Sequence, residues 1–182
     1  DAVIVVFTWL IACLFSSIPW ILSGQLNFTQ AYFESVSGWT TTGLSVINPL
    51  LTPNIYLFHR SITLFFGGVG LVLVMVSALS ATFGLRLYNS EGHSDRLLPN
   101  LLKSSRLIMS IYAGYILAGT LLYIFFGMNW FHAINNSIAS VSTGGFGMTN
   151  NSIGEYNSIA IELITIILMI LGSTNFAANM LL

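Results

Sequence analysis

Two short stretches hold the residues best suited to ion chemistry. The first is Ser35-Val36-Ser37-Gly38-Trp39-Thr40-Thr41-Thr42-Gly43-Leu44-Ser45, and the second is Ser137-Ile138-Ala139-Ser140-Val141-Ser142-Thr143-Gly144-Gly145-Phe146-Gly147. Both are small, polar and glycine-bearing, and both are flanked by apolar runs. A shift of 102 positions superposes them without a gap. At that shift Asn27 falls on Asn129, Ala31 on Ala133, Ser35 on Ser137, Thr41 on Thr143 and Gly43 on Gly145. Asn48 then meets Asn150, Thr63 meets Thr165 and Gly70 meets Gly172. Identities grouped around one polar loop mark a structural repeat. A loop of Thr, Ser and Gly can turn its carbonyl oxygens toward a common axis, because glycine permits the φ angles required. A ring of carbonyls can replace the water shell of a monovalent cation. The candidate ion ligands are Thr41, Thr42, Gly43 and Leu44 in the first loop, and Thr143, Gly144, Gly145 and Phe146 in the second. Neither loop carries a full charge, which suits weak, fast-exchanging binding. Neither has the Cys/His cluster or carboxylate pair that would hold a divalent metal.

The rest of the chain must place these loops at depth in a membrane. Of 182 residues, 55% are hydrophobic and 6% charged, with a mean hydropathy of +0.83. A soluble domain carries about 25% charged residues. The composition is that of a membrane protein, and a net charge of −1 gives no field for nucleic acid. The lone Cys13 has no internal disulfide partner and reads as a small buried hydrophobe.

The run Ala2–Leu22 is long enough to cross a bilayer, which takes about 20 residues. Asn27 is a good cap for a short helix over Phe28–Ser37, too short to span. Ile55–Phe83 is predicted as the second spanning helix, with Gly67-Gly68-Val69-Gly70 allowing close packing. The linker over 84–106 holds four of the five basic residues, so the positive-inside rule places it in the cytoplasm and both loops outside. Leu107–Phe126 is the third span, Asn129 caps a second short helix over Trp130–Ser140, and Tyr156–Leu182 is the fourth span. Each short helix points its partly negative C-terminus at a loop, which favours a cation.

The expected fold class is therefore an all-α membrane protein. It has two tandem helix–pore-loop–helix repeats, 1–83 and 107–182, as parallel copies around a central pore axis. The chain lacks an initiator Met and stops inside an apolar run, so a piece of a longer protein is expected.

Glu34 and Arg60 are candidate supports for the loops, either as a bracing pair or as solvated interfacial charges. Glu162 occupies the position equivalent to Arg60 in the second repeat. Asn175 and Asn179 share a helix face and serve either a helix–helix hydrogen bond or a pore lining. His59 and His132 fall at predicted membrane boundaries. Trp9, Trp20 and Trp130 suit an aromatic belt, and Trp39 is placed to buttress its loop. Ser45 and His59 lack the sequence context of a serine hydrolase, so no enzyme is expected.

Thr41-Thr42-Gly43-Leu44 and Thr143-Gly144-Gly145-Phe146 resemble the first and second selectivity-filter segments of the Trk/Ktr/HKT superfamily of potassium transport proteins. Phe58-His59-Arg60-Ser61 with Gly67-Gly68-Val69-Gly70 is similar to the second helix of that family. Ser142 to Phe146 with Gly172-Ser173-Thr174-Asn175 is similar to the second repeat of its bacterial Trk-type membrane subunit. The resemblance covers essentially the whole chain. It implies potassium uptake across a bacterial plasma membrane, with K+ as the transported ion at the filter residues and no cofactor. It also implies two further repeats to complete the pore, a homodimer, and a cytoplasmic nucleotide-binding regulatory subunit. In this superfamily a serine in place of the first filter glycine accompanies sodium passage, so Gly43 and Gly145 favour potassium. The alternatives are a transporter passing both ions and a non-conducting two-repeat subunit.

Overall fold

The structure is a computed structural model and describes residues 2–70 and 101–174. Six α-helices follow in order: α1 (Ala2–Leu22), α2 (Phe28–Trp39), α3 (Asn54–Val69), α4 (Leu101–Phe125), α5 (Trp130–Val141) and α6 (Ile159–Ser173). A 3-10 turn, Ser152–Tyr156, precedes α6. There is no strand among the described residues.

Val3–Leu22 and Arg106–Phe125 are long and apolar enough to cross a bilayer, with mean hydropathies of 2.1 and 1.8. Ile159–Ser173 is apolar but shorter. One side of α1 leaves Val3, Phe7, Phe15 and Leu22 exposed, as a lipid-facing helix does. Pro19 sits inside α1 in its last turn.

Both caps form where the sequence places them. Asn27 Oδ1 accepts from the Gln30 N–H at 2.9 Å, and Gln30 Oε1 accepts from the Asn27 N–H at 3.2 Å. This reciprocal box starts α2 firmly. Asn129 Oδ1 accepts from the Phe131 N–H at 2.9 Å. The second box is incomplete because the counterpart of Gln30 is His132.

Several boundaries differ from expectation. The short helices run on to Trp39 and Val141. α3 stops at Val69, where Gly70 turns to φ 93°. The predicted continuation over 71–83, and linker positions 84–100, lie outside the described residues. α4 begins at Leu101, inside the stretch expected to be linker, because nothing after Pro99 breaks a helix. α6 begins at Ile159 rather than Tyr156, since Asn157 adopts the left-handed conformation at φ 45° and interrupts the chain. Asn175 and Asn179 also lie outside the described residues.

The two halves share one plan. In the first, α2 packs on α1 and α3; in the second, α5 packs on α4 and α6. α3 packs across onto α5 and joins them. The second half has the larger core, including Ile108, Tyr112, Tyr123, Val141, Ile161 and Leu168. Tight glycine contacts bring α3 and α6 against the short helices. A Cβ on Gly67 would run into the carbonyl oxygen of Trp39, and one on Gly172 into that of Val141. Trp39 and Val141 are repeat mates, but Gly172 is the mate of Gly70, so the close approach has moved by about one helical turn.

Candidate ion-binding loops

The two loops leave their short helices by the same hydrogen bonds. In the first, the N–H groups of Thr40, Thr41 and Thr42 donate to the carbonyls of Val36, Gly38 and Ser37 at 2.9, 3.1 and 2.9 Å. In the second, Ser142, Thr143 and Gly144 donate to Ile138, Ser140 and Ala139 at 2.9, 3.1 and 2.9 Å. Each bond is the other displaced by 102 residues. The dihedral angles repeat as well. Thr41 and Thr143 take φ 51° and 52°, and Gly43 and Gly145 take φ 79° and 72°. A β-branched residue at positive φ is uncommon and costs energy, and here it occurs at both equivalent sites. Among the described residues no hydrogen bond ends on the carbonyl oxygens of 41–44 or 143–146. Among the described residues, these eight backbone acceptors thus have no hydrogen-bond donor.

The loops also touch each other. A Cβ on Gly43 would collide with the Gly144 carbonyl oxygen and would lie 3.3 Å from Gly145 Cα. Thr143 and Gly145 are exposed, Thr41 and Gly43 half-buried, and Gly144 buried. Thr42 and Leu44 are exposed, and the Thr42 hydroxyl lies 2.8 Å from that of Thr40. Phe146 differs from its mate Leu44: it is 2% exposed against 62%. Its ring packs with Leu64, Ile138 and Ala139 instead of standing free.

Arg60 explains that difference. It is 2% exposed and reaches across to the second loop. Its Nη2 donates to the Gly147 carbonyl at 2.6 Å, and the guanidinium carbon lies 4.4 Å from the centroid of the Phe146 ring. On the other side, Nη1 donates to Ser45 Oγ at 3.2 Å and to Glu34 Oε1 at 3.5 Å. Glu34 is equally buried and accepts from Ser45 Oγ at 2.8 Å and from the Val46 N–H at 3.0 Å. Glu34 and Arg60 thus form a buried pair rather than two solvated charges, and they tie both loops together. Gly147 and Ser45, which complete the tie, are repeat mates. Their role is not readable from residue type, since Arg60 is the long side chain that finds them.

The second unit holds its loop differently. Glu162, at the position of Arg60, is exposed, and Asn136 stands where Glu34 stands. Asn136 Nδ2 donates to Tyr156 Oη at 3.4 Å, and Tyr156 Oη lies 2.7 Å from His132 Nδ1. Burial pushes the Tyr156 phenol up, so it stays protonated in this contact. Deeper in the unit, Tyr123 Oη lies 2.6 Å from Thr165 Oγ1 and 3.2 Å from Ser140 Oγ. Ser140 and Thr165 are the mates of Gly38 and Thr63, which also touch. Trp39 ties the end of α2 to α1 and α3: its Nε1 donates to Ser16 Oγ at 2.7 Å and its ring stacks on Phe66. Trp20 does not sit in a belt. It is 1% exposed, packed against Tyr56 and His59. Among the described residues no group of three His, Cys, Asp or Glu could hold a metal ion.

A family model described as the cation transport protein TrkH matches residues 1–180. The chain belongs to the TrkH family. It is 35% identical over 180 residues to the Trk system potassium uptake protein TrkH of Halomonas elongata, covering 94% of this chain and 37% of that protein. It is 36% identical over 183 residues to the Trk system potassium uptake protein TrkG of Escherichia coli, covering 96% and 38%. The crystal structure of the potassium transporter TrkH from Vibrio parahaemolyticus superposes with a TM-score of 0.81 at 27% identity, covering 97% of this chain and 36% of that one. This TrkH-family chain therefore has the helical fold of a membrane transporter, and its relatives are transport proteins rather than enzymes. It spans a little over a third of the length of the curated relatives it matches.

Proposed function

We propose that this chain supplies two quadrants of a potassium uptake pore, and that the loops at 41–44 and 143–146 are selectivity-filter segments. One observation carries the reading. Two equivalent loops with the same left-handed backbone have carbonyl oxygens that accept no hydrogen bond among the described residues, and they lie in contact with each other. Such carbonyls can stand in for the water around a monovalent cation. The short helices α2 and α5 end at the loops, and their C-terminal dipoles add negative potential there.

Two loops cannot close a ring, and the second unit carries a socket for a further one. In the first unit Phe146 packs 3.5 Å from where a Gly38 Cβ would lie. The equivalent space in the second unit is a cavity of about 190 Å³ lined by Asn136, Ser140, Thr143, Thr165 and Met169. Of the mates of these residues, Gly38 and Thr63 touch each other beside the Phe146 ring that the second loop packs there. A third helix–loop–helix unit placed by the same operation would put its own loop residue into this cavity. The family resemblance adds a second copy of the protein and a cytoplasmic nucleotide-binding regulator as partners. The basic stretch 84–106 supports an orientation in the bacterial inner membrane with that stretch cytoplasmic and both loops outward.

The test is cation-dependent thermal stability of the full-length protein, titrated with K+, Rb+, Cs+, Na+ and Li+. A ligand that binds only the folded state raises apparent stability by mass action. K+ and Rb+ should stabilise well beyond Na+, and Gly43→Ser should remove that preference. Equal responses to all five ions would overturn the filter reading and leave a non-conducting subunit.

A further inference from the structure

The peptide that follows each candidate filter segment joins Ser45 to Val46 in the first loop and Gly147 to Met148 in the second, and the two peptides are repeat mates. Both are anchored by the same buried ion pair, but from opposite sides. In the first loop Glu34 Oε2 accepts from the Val46 N–H at 3.0 Å. In the second, Arg60 Nη2 donates to the Gly147 carbonyl oxygen at 2.6 Å. A peptide group is planar, with its N–H and C=O pointing opposite ways, so either bond orients the whole unit. Glu34 and Arg60 are 1% and 2% exposed, and charged hydrogen bonds are strong in such an interior.

Arg60 holds the second loop by one further contact. Its guanidinium carbon lies 4.4 Å from the centroid of the Phe146 ring, so that residue is gripped by its ring and by the next carbonyl together. Arg60 Nε is buried without a hydrogen-bond partner, so the hydrogen bonds that aim the guanidinium come from its two Nη groups. Nη1 serves Glu34 and Ser45, and Nη2 serves Gly147. A planar fork can do both at once, whereas a lysine ammonium has a single nitrogen.

We propose that Arg60 is a specificity-determining positioning residue, which sets the preference for K+ over Na+ through the second loop. It holds the Gly147 carbonyl against its own guanidinium, so the second filter segment ends at Phe146. Glu34 ends the first segment at Leu44 by holding the Val46 N–H. The inference rests on these loops being filter segments. K+ and Na+ carry the same charge, so discrimination depends on the number and spacing of the carbonyls that meet the ion. Without its anchor the Gly147 peptide is free to turn, and that spacing is no longer held.

The experiment uses the full-length protein in detergent. It reads the K+ and Na+ concentrations that give half the maximal rise in thermal midpoint, with the midpoint in choline buffer as the control for scaffold damage. Arg60→Lys keeps a charge beside Glu34 but gives up Gly147. It should lower the Na+/K+ ratio of these concentrations about tenfold, the value of one charged hydrogen bond. Its midpoint in choline should fall less than that of Arg60→Gln. An ester in place of the amide between Gly147 and Met148, introduced with the hydroxy-acid analogue of methionine, weakens the carbonyl and keeps every side chain. It should lower the ratio about threefold. An unchanged ratio in either protein, whatever its midpoint in choline, would overturn this inference and leave the filter reading standing. A ratio near one in the unsubstituted protein would overturn both. Should Arg60→Lys fail to fold, the ester protein still decides.

Discussion

Replacing Arg60 by Gln should be among the most damaging single changes in the chain, and its cost should be felt in the opposite unit. The side chain donates to Gly147 O at 2.6 Å, to Ser45 Oγ at 3.2 Å and to Glu34 Oε1 at 3.5 Å, and it stacks over Phe146 at 4.4 Å. Breaking a buried ion pair by removing one partner costs about 3–5 kcal/mol. A desolvated cation–π contact adds about 1–2 kcal/mol. Glutamine recovers part of this by hydrogen bonding, so we expect a loss of about 4 kcal/mol. Glu34→Gln should cost less, about 2 kcal/mol, because Arg60 keeps Gly147 and Phe146. The bond to Glu34 is the longest of the arginine's hydrogen bonds, so the coupling of the two changes should be about 1–2 kcal/mol. A second cycle, pairing Arg60→Gln with Phe146→Leu, should give about 1 kcal/mol across the units. The assay is equilibrium unfolding of the full-length protein in mixed micelles, alongside rubidium uptake by vesicles holding each variant. Strict additivity in both cycles would refute the reasoning. So would a Glu34→Gln variant less stable than Arg60→Gln.

Three further expectations rest on glycine positions and on one core hydroxyl. Gly43→Ala should abolish K+-dependent stabilisation, because φ 79° strains alanine and its Cβ meets the Gly144 oxygen; Gly145→Ala, at φ 72° with open space around it, should weaken the response only in part, as thermal titration will show. Gly67→Ala and Gly172→Ala should each lower the thermal midpoint, since their Cβ atoms enter backbone carbonyls, whereas Gly114→Ala meets nothing within 4 Å and should leave the midpoint unchanged or raised. Tyr123→Phe should destabilise by about 1–2 kcal/mol in unfolding experiments, as the Ser140 and Thr165 hydroxyls lose a shared partner in the core.

Much of the site was legible because its signals are local. Asn27 and Asn129 cap helices through their own next turn, so residue type and position suffice. The loops were legible through their repetition, and the repeat extends to single hydrogen bonds and φ angles. What stayed hidden depends on long side chains crossing between units. Nothing in the sequence around Phe146 says that Arg60, 86 positions earlier, covers its ring. The difference between Phe146 and Leu44 looks like a conservative apolar exchange, yet one is core and the other exposed. Helix ends were missed where a single residue took an unusual turn, at Gly70 and Asn157. Trp20 was misplaced because an aromatic near a helix end can equally well fill a core. Here Tyr56 and His59 provide one.

The Arg60 bridge also bears on how an assembly of this kind can vary. In a ring of identical subunits every joint is the same, so any change at one joint is made at all of them. Tandem units on one polypeptide are released from that rule. The position that holds an arginine in the first unit holds an exposed glutamate in the second, and a buried carboxylate in the first is matched by an amide in the second. Each seam is thus free to have its own stiffness and charge while the loops keep one shared backbone. Symmetry is retained where the ligand would sit and given up in the scaffold around it, so a single substitution can tune one side of the site alone.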